Sequence, residues 1–551
     1  MEGELEKKDL GFIGVCLLVA VVSLTIGVHY FYQAFPEASI DFRLTRDQAE
    51  TQAAAFLAKR GFDLEKYRHS AVFRFDDKSK TFLERELGLQ GATEKISQPV
   101  QLWRWSNRWV RDLQKQEYQV DITTSGQLVG FSHIIAEEDP GARLDEIHAR
   151  ANAERFLTDD LGRDLTILEY VEAETNERPN RVDHTFTWKL RDFAVSEGTY
   201  RVYVRIQGDQ VGGFGEYLKV PEAWQREFTE LQSRNQATGM VASLFLLLTM
   251  LAMLAVFFGR VRGQDIRWKT ALIFGGIAAA LTLLAELNNL PLAEFGFDTT
   301  DTYGSFLTRQ LLNAGLVAIG QGLFIFFLTA AAEPLYRQYY GDQIQLGAQF
   351  TPTGMRTKRF LLGSVLGLAM TAFFFAYQTL FYIIAEKFGA WSPAQIPYSE
   401  MVNTYFPWIM VLLIGFMPAV SEEFMSRAFS IPFLHKYLKS RWAAVVVSAV
   451  IWGFAHAGYP QQPFYVRGIE VGIAGIIIGF VFLRFGLLAP LVWHYTVDAL
   501  YTALILLRSS NSYFVVSAAI SAGLMLLPLA VALFLYFRQR HFTDPTPLLN
   551  E

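Results

Sequence analysis

From residue 239 onward the chain is a succession of apolar segments divided by short polar loops, and this leaves few folds open to it. Nine segments can be marked, at residues 240–259, 270–287, 311–331, 360–385, 407–429, 443–457, 468–483, 491–507 and 513–537. A tenth, residues 10–32, follows Lys7 and Lys8 near the start. Roughly 20 apolar residues in a helix span a bilayer core. In lipid only a helix or a closed barrel satisfies its own backbone. A multi-pass α-helical membrane protein of about ten transmembrane helices is therefore expected. Hydrophobic residues make up 51% of the chain and charged ones 19%, which suits a membrane protein carrying a soluble part.

Residues 1–35 read as an uncleaved N-terminal anchor, because the bulky run HYFYQAF follows the apolar stretch where a signal peptide would need small residues. The soluble part is residues 36–235, rich in charge and in short alternating runs. Two motifs recur in it at similar spacing. QAAAFLAKRGFDL (52–64) resembles NAERFLTDDLGRDL (152–165), and YQVDITTSGQLVGF (118–131) resembles YRVYVRIQGDQVGGF (200–214). Each copy reads as a helix followed by strands with a Gly-containing hairpin, so two tandem α+β repeats are expected. The pattern V-x-[VI]-x-x-x-G-x-[LV]-x-G-F loosely resembles PepSY-type extracytoplasmic modules. His69, His133, His148 and His184 are scattered through this part without a catalytic constellation.

Loop charge predicts the orientation. Residues 259–269, 355–359, 435–441 and 537–541 are basic and fall on one face if all ten segments span. Both termini are then expected in the cytoplasm, with residues 36–235 extracytoplasmic. The net charge of -5 gives no reason to expect nucleic acid as a partner. The single cysteine, Cys16, lies in the first apolar run. A disulfide framework or Cys-based zinc site within one chain is excluded, and any metal needs His, Asp or Glu ligands.

Charge inside an apolar segment is costly and marks function by default. The sequence SEEFMSR (421–427) places Glu422, Glu423 and Arg427 in such a segment. On a helix Glu423 and Arg427 share a face and can pair. Glu422 is rotated by about 100° and left free to act as a general base. Pro418 can bend the helix and make room for water. A helix–helix ion-pair network is the rival reading of the two acids. Two histidines in later apolar segments weigh against it. His456 lies four residues after Trp452, and His494 four residues before Asp498, each pair on one helical face. By segment position Glu422 and His494 fall toward the cytoplasmic side and His456 near the outer end. That mismatch requires a sunken segment or a loop at 458–468 that dips back.

The ordered set EEFMSR (422–427), WGFAH (452–456) and HYTVD (494–498) resembles the CPBP family of intramembrane metalloproteases, which includes type II CAAX prenyl endopeptidases and the Abi bacteriocin-processing group. The resemblance covers roughly residues 360–537. It implies a protease core within 346–551, with 236–345 supplying additional membrane helices. It departs from the family at Trp452, where Phe is usual, and at Asp498, where the prenyl endopeptidases carry Asn. It implies that Glu422, helped by His456, activates water, and that His494 and Asp498 polarise the scissile carbonyl. The alternative it leaves open is that Glu422, His456 and His494 ligate a divalent metal, with zinc the expected ion. The substrate class implied is a membrane-associated protein or peptide, and the duplicated domain is expected to have an extracytoplasmic partner. A bacterial inner membrane is the expected location. Two other readings stand beside an endopeptidase: a non-proteolytic immunity or scaffold member of the same fold, and a proton-coupled transporter. Transporters often carry inverted repeats, and none is visible among these membrane segments.

Overall fold

A computed structural model describes residues 4–34, 43–393, 399–507, 509 and 511–550. The expected boundary at residue 36 lies outside the described residues. The chain begins with α1 (Lys7–Ala34). A domain follows in which α2 (Arg46–Lys59), α3 (Asp77–Ser97) and α4 (Glu146–Arg155) accompany eight strands. These are β1 (Arg68–Phe75), β2 (Trp103–Val110), β3 (Glu117–Thr123), β4 (Leu128–Ile134), β5 (Leu168–Glu177), β6 (Val182–Leu190), β7 (Thr199–Gln207) and β8 (Gln210–Lys219).

The strands form one antiparallel sheet in the order β1-β2-β3-β4-β8-β7-β6-β5. Each half is a four-strand meander, and the halves join through β4 and β8. Their register sets Phe131 opposite Phe214, the final residues of the two matched motifs. Alternation makes the sheet one-sided. In β7, Tyr200, Val202, Val204 and Ile206 are buried and the residues between them are partly exposed. Small residues let the helices lie close to this face: Ala49 and Ala53 from α2, Ala149 and Ala153 from α4. Both helices start at side-chain caps, a capping box at Thr45 and Asp145 accepting from the His148 amide.

The chain leaves the sheet through α5 (Glu222–Arg262), a helix that runs unbroken from the domain into the apolar bundle. Then come α6 (Trp268–Asn288), α7 (Leu290–Phe295), α8 (Tyr303–Tyr339), α9 (Leu346–Gln349), α10 (Lys358–Glu386) and α11 (Pro407–Glu423). After a π-helical turn at Phe424–Phe429 the chain completes α12 (Ser430–Leu438), α13 (Arg441–Ala455), α14 (Val466–Phe485), α15 (Leu488–Leu507) and α16 (Ser512–Gln539). Among the described residues, 8 helices are long and apolar enough to cross a membrane. The other two expected segments are also helical, as α13 and α15.

The two ends of the bundle differ. At one end sits the sheet. Arg108 donates to the carbonyls of Phe295 and Phe297 at 2.7 and 2.9 Å, and Asp112 accepts from the Tyr303 amide. At the other end the termini meet. Lys358 pairs with Asp9 at 2.9 Å, and the Thr543 and Asn550 amides donate to Arg356 and Gln343. Both termini therefore share the end away from the sheet.

Candidate active site

Three helices bring the motifs together. The α11 backbone approaches α15 at Gly415, where an added Cβ would lie 2.8 Å from the Tyr495 ring. The α13 and α14 backbones meet at Gly453, whose added Cβ would come within 2.6 Å of Gly468 O and of Gly472. Small residues at such crossings are the usual means of close packing between membrane helices.

The α13 helix has 15 residues, a rise of about 22 Å, less than the roughly 30 Å of a bilayer core. Its C-cap is His456. The segment after it is held by α5. The buried Asn235 side chain donates to the carbonyls of Tyr459 and Gln461 at 2.6 and 2.8 Å and accepts from Gln462 Nε2.

The six residues singled out in the sequence converge. Glu422 Oε2 lies 3.9 Å from His456 Nε2 and 3.8 Å from His494 Nε2. Each imidazole is oriented through its other nitrogen. His456 Nδ1 bonds the Trp452 carbonyl at 2.8 Å, which makes Nδ1 the donor and leaves Nε2 a lone pair. His494 Nδ1 bonds Glu423 Oε1 at 2.8 Å. Asp498 Oδ2 is 3.6 Å from His494 Nε2. Glu422, His456 and Asp498 keep side-chain exposures of 26%, 21% and 28%, whereas Glu423 and Arg427 are at 0% and 2%. The cluster thus has an open side and a sealed back.

Glu423 and Arg427 pair as expected, at 3.1 Å. Their contact is an ion pair without hydrogen-bond alignment, since neither terminal Arg427 nitrogen has a hydrogen-bond partner. Two features depart from the expectation. Glu422 is not free, because it accepts a hydrogen bond from Trp452 Nε1. Glu423 does more than neutralise Arg427, because it also orients His494. The π turn that follows Glu423 was invisible in the sequence; such turns recur at functional sites. Trp452 was noted for its spacing to His456 and as a departure from the family motif, not as a donor to Glu422. Its signal was present: a buried indole N–H usually finds an acceptor.

The donor types suit zinc, being two imidazoles with their Nδ1 atoms engaged elsewhere and one carboxylate. The spacing is looser than a closed site. Ligands about 2.0–2.1 Å from one tetrahedral ion stand about 3.3 Å apart, and these imidazoles stand 3.8 and 3.9 Å from Glu422 Oε2. Among the described residues, no three such donors form a ready-made cation cluster.

All three motifs fall within residues 404–500. Residues 404–500 match the Rce1-like family of type II CAAX prenyl endopeptidases. The match is narrower than the stretch that resembles the family in sequence. Beyond it, the chain is 19% identical over 506 residues to the sporulation-killing factor biosynthesis protein SkfC of Bacillus subtilis (strain 168), covering 85% of this chain and 91% of that protein. Coverage of that breadth takes in part of the sheet domain as well as the Rce1-like region. No solved structure matches.

Proposed function

We propose that the protein is an intramembrane endopeptidase that cleaves a membrane-associated protein or peptide. The observation that carries this reading is the single carboxylate oxygen of Glu422 facing the Nε2 atoms of two separately oriented histidines. A water on the open side of the cluster gives its proton to Glu422, with His456 Nε2 accepting a hydrogen bond from it. The oxygen then attacks the scissile carbonyl carbon. His494 in its imidazolium form, with Nδ1–H on Glu423, turns its Nε2–H to the developing oxyanion. Glu422 returns the proton to the leaving amine. In the alternative division of roles, Glu422 and the neutral imidazoles of His456 and His494 would hold a divalent ion, which would make its bound water more acidic.

The basic loops share the end that carries both termini, which supports a cytoplasmic placement for that end. The sheet domain then lies outside a bacterial inner membrane, docked on the segments around residues 295–303 and 402–403. Its two similar halves read as duplicated PepSY-like modules that recruit the substrate or an extracytoplasmic partner. The Bacillus relative is named for the biosynthesis of a sporulation-killing factor, which makes a precursor of such a factor a substrate class to test.

The test uses the full chain in proteoliposomes with two probes, a quenched peptide ending in a farnesylated CAAX sequence and a transmembrane peptide library read by mass spectrometry. Cleavage is expected to fall by about a hundredfold or more in Glu422→Gln. A Glu422→Gln protein that cleaves at the wild-type rate would remove the base. Chelator that abolishes cleavage, with bound zinc lost in His456→Ala, would add the metal to the site; cleavage unaffected by chelator would exclude it.

A further inference from the structure

We infer that Trp452 is a positioning residue for the catalytic carboxylate, its indole N–H keeping Glu422 aimed between the two imidazoles. The inference rests on the reading of Glu422 as the base.

Five side chains form a closed circuit. Trp452 Nε1 donates to Glu422 Oε2. The Arg427 guanidinium lies 4.1 Å from the Trp452 ring centroid. Arg427 pairs with Glu423, Glu423 orients His494, and His494 returns to Glu422 at 3.8 Å. Arg427 and Glu423 are sealed off, so the indole plane is fixed from behind, and its N–H can point only where that plane allows. Glu422 is partly exposed and would otherwise sample several rotamers. The oxygen that receives the N–H is the same one that faces both histidines.

Burial alone does not enforce such a bond. Trp493, the neighbour of His494 and as deeply buried, has no partner for its indole nitrogen among the described residues. An indole N–H donates and never accepts. Its bond to a carboxylate favours the ionised form over the protonated one. Phenylalanine at 452 would keep a ring against Arg427 and lack the donor.

The test removes the N–H and keeps the ring. Trp452→Phe is prepared, and, where Phe impairs folding, benzothienylalanine at 452, which has the shape of tryptophan without its N–H. The protonated-carboxyl infrared band of Glu422, assigned by its loss in Glu422→Gln, is titrated in proteoliposomes without substrate. Loss of a hydrogen bond to a charged group moves the midpoint of that band upward by about one pH unit. The acid limb of cleavage moves with it, and cleavage on the alkaline side of that limb falls without being abolished, as Glu422 loses its aim. An unchanged midpoint in the variant overturns the inference even if Glu422→Gln is inactive. A shifted midpoint beside a fully active Glu422→Gln would keep the hydrogen bond and overturn the role of Glu422 as base.

Discussion

Asn403 closes the free edge of β1 at Phe73, accepting from the Phe73 amide at 2.6 Å and donating to its carbonyl at 3.2 Å. One side-chain amide thus imitates a neighbouring strand on an edge that would otherwise invite pairing with another chain. Asn403 ends the short 3-10 turn that leads into α11, the helix that carries Glu422. The sheet and α11 are therefore tied through a buried residue. Asn403→Leu removes both of these hydrogen bonds, each worth about 0.5–1.5 kcal/mol. Hydrogen exchange at the Phe73 amide should accelerate while exchange deep in β7 stays slow. Equal exchange in wild type and variant would show that the tie does not hold the edge.

The Glu423–Arg427 pair makes a sharper prediction because both groups are sealed off. Removing one partner from a buried pair costs about 3–5 kcal/mol, whereas an apolar replacement of both is often neutral. Glu423→Leu and Arg427→Met should each lower thermal stability in detergent, and the double variant should recover most of the loss. Cleavage should not recover, because His494 loses the acceptor of its Nδ1–H. A double variant as active as wild type would reduce Glu423 to a counter-ion.

Much of this was legible in the sequence, for identifiable reasons. All ten expected segments are helices, because apolar length is a local property that tertiary context does not override in lipid. Glu422, Glu423, Arg427, His456, His494 and Asp498 gather in one place, because charge within apolar runs is rare enough to single out. What the residues do for one another was not legible. The partnership of Glu422 with Trp452 and of Glu423 with His494 depends on how α11, α13 and α15 cross. Gly415 lies at the α11–α15 crossing and Gly453 where α13 meets α14, and these glycines look alike in sequence whether or not a neighbour touches them. The π turn after Glu423 adds a rotation that an ideal helix of 3.6 residues per turn does not contain.

His133 gives the sheet a pH response. It stacks on Tyr118 at 4.7 Å and lies 3.0 Å from Gln116 Nε2. Burial, reinforced by Arg205, pushes it down to about 4 from an ordinary 6.5. The folded sheet thus holds this ring neutral where the unfolded chain would take up a proton. Its contribution to stability is full above pH 6.5 and drains away as pH falls toward 4. Exchange protection of β3 and β4 should decline over that window in wild type and flatten in His133→Gln. A decline of the same size in both proteins would assign the response to other groups.

Asp498 is the residue where this chain departs from the prenyl endopeptidases, and the geometry says what that departure costs. Its Oδ2 stands 3.6 Å from His494 Nε2, on the open side of the cluster. An ionised carboxylate there only accepts, and it repels an oxyanion forming beside it. A protonated one donates, as an asparagine amide does at any pH. If Asp498 assists the oxyanion as a donor, cleavage should fall as rising pH strips its proton. Asp498→Asn should then keep activity within about tenfold and lose that alkaline limb, while Asp498→Ala should lose about a hundredfold, the worth of one oxyanion donor. The pH–rate profiles of the three proteins decide the matter. An Asp498→Asn variant as inactive as Asp498→Ala would show that the negative charge itself is needed, as a partner that keeps His494 protonated, and would leave His494 the sole donor of the pair to the oxyanion.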